Sequence, residues 1–364
     1  MKLDYVNLSA QWEDEKNNLR NIFDEVMSTG QYVGGKYVEL FENKVCEYTG
    51  AKYCIALNSG TDSLVTSLVA SGVKKGDEVI TPPNSFIAST SSIIHIGAKP
   101  VFADVLDDQS IDPEEIIKKI TKKTKAIMPV HLTGKVSQMK QIMSIADEFD
   151  IPVIEDSAQS IGSTYMGVQS GRFGFIGCFS AHPLKNLNAC GDAGFTITDN
   201  EDVHNSVRLM RNHGLENREK VTRFGYVSRM DNLQAAILSY RIDKLKDVIR
   251  IRQENAEIYF KNLKNTNATL PKGTANESLT YHTFVIQIEN RDEVKKKLFE
   301  AGIETNIHYP VPIHLQPASS SLGYRLGDFP KTEAQSKKIL TLPIHQYLKK
   351  DEIEYVCEQI KKLI

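Results

Sequence analysis

The sequence lacks the cysteine pairs that stabilise secreted domains or bind structural zinc. Its 364 residues include five cysteines, at positions 46, 54, 178, 190 and 357, an odd number with no Cys-x-x-Cys spacing. Neither a disulfide framework nor a metal site is therefore predicted. Because unpaired cysteines are typical of a reducing compartment, we expect a cytoplasmic protein.

Long apolar runs and an excess of charge of one sign are also missing. No stretch approaches the roughly 18 apolar residues that span a bilayer, and residues 1–20 mix acidic and basic side chains. We therefore expect neither a membrane protein nor a signal peptide. A formal net charge of −2, with 41% hydrophobic and 25% charged residues, argues against disorder and against nucleic-acid binding.

Short apolar runs and amphipathic stretches alternate through the first part of the chain. Strands are predicted at 53–57, 78–81, 100–103, 126–130 and 151–154, and helices at 36–49, 63–70, 86–96, 112–120 and 136–149. This alternation predicts an α/β fold with a mostly parallel central sheet covered by helices on both faces.

A smaller α+β domain is predicted to follow. One long helix is expected over 231–263, then a strand at 281–288, a helix at 291–300, an irregular segment at 305–316 and a helix from 351. We expect a large domain over residues 1–245 and a small domain over 246–364, with the first dozen residues packed on the small domain.

Three polar segments follow predicted strands, where parallel sheets collect ligands. The segment 58–62 is a glycine turn that opens a helix, which is typical of a phosphate site but equally of a simple helix cap. It matches neither a Gly-x-Gly-x-x-Gly motif nor a P-loop. The other two segments are 82–86 and the pair Asp156 and Gln159.

A lysine lies on a polar loop between two further apolar runs. The loop contains Phe179-Ser180-Ala181-His182-Pro183-Leu184-Lys185-Asn186 and then Cys190-Gly191-Asp192-Ala193-Gly194. Lys185 could be an ordinary surface lysine, or an amine nucleophile if it is kept from water. A phosphate cradle, a carboxylate, an aromatic side chain and a lysine are together what pyridoxal 5′-phosphate (PLP) requires.

At this point the sequence resembles the DegT/StrS family of PLP-dependent sugar aminotransferases, which have fold type I. The resemblance runs almost end to end. It rests on Gly30 to Gly34, Ser-Gly-Thr at 59–61, Pro-Val-His-Leu-Thr-Gly at 129–134, Glu-Asp-Ser-Ala-Gln at 155–159, Cys-Phe-Ser-Ala-His-Pro-Leu-Lys-Asn at 178–186, Arg-Asn-His-Gly at 211–214, Ser-Arg-Met-Asp-Asn-Leu-Gln-Ala-Ala at 228–236 and His-Tyr-Pro-Val-Pro-Ile-His at 308–314.

The resemblance implies a role for each matching residue. Lys185 would hold the PLP aldehyde as a Schiff base and act as general acid and base, Asp156 would pair with the pyridinium nitrogen, and Gln159 would lie beside the ring hydroxyl. The other implied cofactor contacts are Phe86, stacked on the ring, and Gly60, Thr61, Ser180 and the backbone amide of Asp62, on the phosphate. Substrate candidates are His182, His308, Tyr309 and His314, although a lone loop histidine is often structural.

The chain departs from the family pattern at two places. Where many members have an asparagine that reaches the phosphate from the partner subunit, this chain has Val227, so Ser228 or Arg229 would have to replace that contact. Residues 190–194 read Cys-Gly-Asp-Ala-Gly and are closer to members that aminate C3 of a keto sugar.

The resemblance implies a homodimer with active sites at the interface, and transfer of an amino group from L-glutamate to the keto group of a nucleotide-linked sugar. Amination of a non-nucleotide sugar acid, and dehydration of a sugar, are the alternative reactions. A related dehydratase branch has histidine in place of the lysine, so Lys185 argues against dehydration. A sugar-sensing regulator is the non-enzymatic alternative.

Overall fold

The computed structural model describes residues 2–271 and 273–364. The helices are α1 (Leu8–Ser28), α2 (Lys36–Thr49), α3 (Gly60–Ala70), α4 (Ile87–His95), α5 (Pro113–Lys119), α6 (Met139–Phe149), α7 (Glu201–Met210), α8 (Asn232–Ile242), α9 (Leu245–Leu263), α10 (Arg291–Glu300), α11 (Pro330–Ser336) and α12 (Lys350–Lys361). The strands are β1 (Tyr53–Leu57), β2 (Glu78–Thr81), β3 (Lys99–Phe102), β4 (Thr124–Ile127), β5 (Ile154–Asp156), β6 (Thr164–Tyr165), β7 (Val168–Gln169), β8 (Ile176–Ser180), β9 (Gly194–Thr198), β10 (Glu277–Ser278), β11 (Phe284–Gln287) and β12 (Ile339–Leu342). Short 3₁₀ helices cover Leu132–Gly134, Ile313–Leu315 and Pro317–Leu322.

The central sheet has the strand order β1-β9-β8-β5-β4-β2-β3. Two groups of strands meet through parallel bridges between Ile127 and Val153 and between Val130 and Asp156. Strand β9 runs antiparallel to β1 and β8, whereas the β5–β8, β2–β3 and β2–β4 pairs are parallel. The sheet is thus mostly parallel, as the alternation of strands and helices predicts.

Helices cover both faces of this sheet because both faces are apolar. In β1, Cys54 and Ala56 belong to a core shared with α2 and α8. The alternate residues Ile55 and Leu57 belong to a second core shared with α3 and α7. Since successive side chains of a strand point to opposite faces, a continuous apolar run is what a strand covered on both sides requires.

The single long helix predicted over 231–263 is wrong, because the chain forms two helices, α8 and α9. Helix α8 ends at Ile242, and the Lys244 N–H donates to the Arg241 carbonyl in a tight turn. Helix α8 packs in the large core through Leu238, and α9 begins in the same core through Leu245 and Ile249. Further along α9, Tyr259 packs in a separate core of the C-terminal part. Helix α9 thus connects the two cores, and no glycine or proline marks its separation from α8 in the sequence.

The C-terminal part is built on the antiparallel pair β11–β12 and the helices α9, α10 and α12. Strand β11 is shorter than the predicted strand at 281–288, because the N–H groups of Thr280 and Thr283 donate to the 133–134 turn instead. Leu3 of the N-terminal segment forms a parallel bridge with Ile303 and lies in the C-terminal core. In the described ranges 2–271 and 273–364, no helix combines the length and apolar character needed to cross a membrane.

Candidate active site

A cavity of about 430 Å³ opens where the loops after β1, β2, β5 and β8 converge. These strands run in one direction, so their carboxyl ends meet at one edge of the sheet. Ten of the residues predicted to bind cofactor or substrate line it: Gly60, Thr61, Phe86, Asp156, Gln159, Ser180, His182, Lys185, His308 and Tyr309.

The N-terminus of α3 forms one end of the cavity. Ser59 is its N-cap, and the Ser59 hydroxyl accepts a hydrogen bond from the Asp62 N–H at 3.1 Å. A Cβ atom at Gly60 would lie 2.7 Å from Cβ of Ser180, so only glycine allows this close approach. Free N–H groups and the positive end of the helix dipole beside the Ser180 hydroxyl suit a phosphate.

Asp156, at the end of β5, is a buried carboxylate with two hydrogen-bond donors. The Ser89 hydroxyl donates to Oδ2 at 2.7 Å, and the Ala158 N–H donates to Oδ1 at 3.2 Å. Burial raises the pKa of Asp156, and the bond from Ser89 counteracts this rise. A carboxylate held in this way can pair with a cationic ring nitrogen.

Lys185 is half-buried on the loop after β8. Its backbone N–H donates to the His182 carbonyl at 2.8 Å, which folds the loop back on itself. Removal from water lowers the pKa of Lys185 to about 8, although the negative charge of Asp156 opposes this shift. An amine with this pKa is partly neutral near pH 7 and can act as a nucleophile and a base.

Phe86 and Gln159 form the side of the cavity between these groups. Phe86 caps α4 and is 54% exposed, with its ring centroid 5.8 Å from that of Tyr309. Gln159 accepts a hydrogen bond from the Thr133 N–H at 2.8 Å and donates to the Tyr309 hydroxyl at 3.4 Å. Gln159 is thereby held in one orientation, while the Phe86 ring is open for stacking.

The other predicted residues lie outside the cavity lining. His314 is buried against Phe329, and its Nε2 is 3.0 Å from Glu333 Oε1. The buried Ser228 hydroxyl donates to Asn58 at 3.1 Å, and Arg229 contacts Asn212. The Asp62 N–H is bonded within the helix cap. Roles for His314, Ser228, Arg229 and Asp62 in binding stay predictions.

Five further polar residues of the cavity were missed in the sequence: Tyr5, Ser89, Arg252, His282 and His345. Ser89 lies three residues after Phe86 on a predicted helix, and this spacing could have placed both on one face. The other four come from the N-terminal segment and the C-terminal part, where no strand end pointed to a site.

Taken together, the lining fits PLP. The α3 N-terminus can bind a phosphate, Asp156 a pyridinium nitrogen, Phe86 the ring face and Lys185 the aldehyde. No cluster of three or more metal-ligating side chains occurs among the residues that the structure describes.

Comparison with known proteins agrees with this geometry. The model of the DegT/DnrJ/EryC1/StrS aminotransferase family matches residues 13–361. A pleiotropic regulatory protein of Geobacillus stearothermophilus is 38% identical over 364 residues, covering 99% of this chain and 98% of that protein. A UDP-2-acetamido-2-deoxy-3-oxo-D-glucuronate aminotransferase of Pseudomonas aeruginosa is 34% identical over 98% of both chains.

Two solved structures share the fold. DesV of S. venezuelae, solved in complex with a ketimine intermediate, superposes with a TM-score of 0.97 at 31% identity over 100% of this chain and 98% of that chain. NtdA of Bacillus subtilis, solved with bound PMP, the aminated form of PLP, superposes with a TM-score of 0.88 at 35% identity over 95% of this chain and 81% of that chain.

These matches confirm the predicted fold type I architecture, the aminotransferase class and the PLP cofactor. The chain belongs to the DegT/DnrJ/EryC1/StrS aminotransferase family.

Proposed function

We propose that this aminotransferase moves an amino group from an amino-acid donor, L-glutamate, to the keto carbon of a nucleotide-linked sugar. The observation that carries the proposal is Lys185, an amine with a pKa lowered to about 8, in the same cavity as the buried carboxylate of Asp156. The 3-oxo sugar in the name of the P. aeruginosa relative supports a sugar substrate aminated at C3.

The cofactor and the side chains of the cavity have separate roles in this reaction. PLP supplies an electron sink for the carbon that gains or loses the amino group. Lys185 takes up the proton at that carbon and returns it, and about a tenth of a group with a pKa of 8 is neutral at pH 7. Asp156 would keep the ring nitrogen charged, while Gly60, Thr61 and Ser180 would hold the phosphate.

A regulatory function is the second candidate, because the G. stearothermophilus relative is named as a regulatory protein. A protein that only sensed a sugar would need no amine with a lowered pKa beside a buried carboxylate. The formation of an amino sugar in vitro separates the two functions.

The test is a glutamate-dependent assay. Purified protein with PLP is incubated with L-glutamate and a panel of dTDP- and UDP-linked 3-keto and 4-keto sugars, and 2-oxoglutarate is measured. We expect turnover with at least one sugar, loss of turnover in Lys185→Ala, and unchanged turnover in Lys118→Ala, which removes an exposed lysine on α5. Full turnover by Lys185→Ala would refute the role of Lys185.

We also propose a homodimer with active sites at the interface. The loop before α8 exposes three large apolar side chains, Phe224, Tyr226 and Val227, at 100%, 48% and 55%. Such a patch is typical of a protein interface, and Ser228 and Arg229 follow it directly. Light scattering is expected to give twice the 40.8 kDa chain mass; a monomer with full activity would contradict the dimer.

The five free cysteines support a cytoplasmic location.

A further inference from the structure

A buried polar cluster connects the N-terminal helix to the loop that carries the cavity lysine. We call residues 181–189 the lysine loop. The cluster consists of Gln11 and Glu15 of α1, Asn188 of the lysine loop and Arg241 of α8, and all four residues are buried. They lie outside the lining of the cavity, so the proposed chemistry assigns them no role.

Asn188 joins the two arms of the lysine loop. The Ala189 N–H donates to the Ala181 carbonyl at 2.7 Å, which closes the loop at its base. Further out, Asn188 Nδ2 donates to the Pro183 carbonyl at 2.8 Å. Because Lys185 lies between Pro183 and Asn188 in the chain, this bond fixes the backbone on both sides of the lysine.

Two helices hold Asn188 from outside the loop. Gln11 Nε2 donates to Asn188 Oδ1 at 3.1 Å, and Asn188 Nδ2 donates to Gln11 Oε1 at 2.9 Å, so the two amides form a reciprocal pair. Arg241 Nη1 donates to the Asn188 carbonyl at 2.7 Å, while Arg241 Nε and Nη2 donate to Glu15 Oε2 at 2.9 and 2.6 Å. None of these four side chains has a buried polar atom without a hydrogen-bond partner. A fully satisfied network of this kind makes its members rigid.

The attachment of α1 to the rest of the protein does not require polar contacts. The buried residues of α1 are Gln11, Glu15, Leu19 and Val26, and the last two are apolar. Burying an ion pair such as Glu15 with Arg241 is unfavourable, and apolar side chains of similar size often give equal or greater stability. The polar residues are the two that connect to the lysine loop, which indicates that they serve the loop.

We propose that Gln11, Asn188 and the pair of Glu15 with Arg241 form a positioning network, which sets the place of Lys185 relative to the PLP aldehyde. The neutral amine bonds to the aldehyde carbon, and the aldehyde oxygen leaves as water. The rate of this step depends on how closely the amine is held to the carbon. The network acts through the backbone of the lysine loop, and the inference rests on the proposed role of Lys185.

The test separates covalent attachment of PLP from its noncovalent binding. Full-length apoprotein is mixed with PLP and reduced with borohydride at timed intervals, and mass spectrometry of the peptides locates and counts the modified lysine. Affinity for 4′-deoxypyridoxine 5′-phosphate, an analogue without the aldehyde, is measured by calorimetry. This second readout reports whether the rest of the site is intact.

Asn188→Ala removes the bonds to Gln11 and Pro183. The matched control is Asn18→Ala, because Asn18 lies on the same helix as Gln11 and donates to the Tyr240 hydroxyl of α8 at 3.0 Å, but at an exposed position. Both variants lose a hydrogen bond of α1, and only the first loses contacts of the lysine loop.

We expect Asn188→Ala to slow attachment of PLP to Lys185 about 10-fold and to change the affinity for the analogue by less than about 2-fold. Asn18→Ala is expected to match the wild type in both measurements. Attachment by Asn188→Ala at the wild-type rate would overturn the proposal. Equal losses of attachment rate and analogue affinity would also overturn it, because they would show a merely structural role.

Gln11→Leu decides if Asn188→Ala does not fold. This variant removes the amide pair but leaves the bond from Asn188 to Pro183, so we expect attachment to be slowed about 3- to 10-fold with unchanged analogue affinity. An unchanged attachment rate would refute the positioning network.

The positioning network and the role of Lys185 can fail separately. Modification of a lysine other than Lys185 in the wild type would refute the proposed role of Lys185. Modification of Lys185 at equal rates in the wild type and in Asn188→Ala would retain that role and refute the network alone.

Discussion

The pKa values of two residues in one cavity, Lys185 and Asp156, are shifted from their ordinary values in ways that suit the proposed roles of these residues. Burial lowers the pKa of Lys185 to about 8, which favours the neutral amine. Burial raises the pKa of Asp156, but the donors Ser89 and Ala158 stabilise its charged form. The identities of both residues were predicted from the sequence. The hydrogen bond from Ser89 was not predicted, because Ser89 is 67 residues away in sequence and reaches the carboxylate only in the folded chain.

Ser89→Ala tests the support of Asp156 by its neighbour. Without the Ser89 donor, the pKa of Asp156 rises further, so a larger fraction of the carboxyl is protonated at pH 6 than at pH 8. We expect weaker PLP binding by the apoprotein, by about 3- to 10-fold at pH 8 and more at pH 6. Fluorescence titration with PLP at both pH values measures this.

Ser92→Ala is the control for that experiment, since its buried hydroxyl lies on the same helix but donates to the Ser89 carbonyl. We expect it to bind PLP like the wild type. A loss in Ser89→Ala that is equal at pH 6 and pH 8 would show a purely structural role for the hydroxyl.

Among the elements, the loops at the strand ends were predictable because alternating strands and helices define where such loops lie. The 58–62 turn, the 82–86 segment and the end of β5 all reach the cavity. The helix start was predicted three residues late, because α3 begins at Gly60 with Ser59 as its cap. The break between α8 and α9 was not predictable, because no glycine or proline marks it in the sequence.

Gly194 links two of these elements. It lies at the start of β9 opposite Leu57 and Ser180, and a Cβ atom there would overlap the Ser59 carbonyl and the Gly60 nitrogen. We expect Gly194→Ala to destabilise the protein by about 1–3 kcal/mol, because the clash is with backbone of the α3 turn. A lower Tm and weaker PLP binding of Gly194→Ala than of the wild type would together show this effect.

Gly191→Ala, on the loop just before β9, is the matched control. A Cβ atom at Gly191 would meet only the Gln234 side chain, at 3.3 Å, and that side chain can move. Wild-type stability of Gly194→Ala would contradict the close packing of the α3 turn on β9.

At the scale of the whole molecule, the cavity is completed by segments distant in sequence. Tyr5 from the N-terminal segment and Arg252, His282 and His345 from beyond α8 face the strand-end loops. Periodicity and turn signals report local structure, so contacts across some 250 residues could not be predicted from them. The division into domains at residues 1–245 and 246–364 stays a proposal, supported by separate cores around Leu238 and Tyr259.

The most direct measurement of the central claim is the transfer of an isotopic label. The PLP-loaded protein is incubated with ¹⁵N-labelled L-glutamate and the keto-sugar panel, and the sugars are analysed by mass spectrometry. The account predicts one ¹⁵N atom in an amino sugar formed by the wild type and none in the product mixture of Lys185→Ala. If the protein binds PLP but no sugar contains ¹⁵N, the proposed amino transfer to a sugar is contradicted.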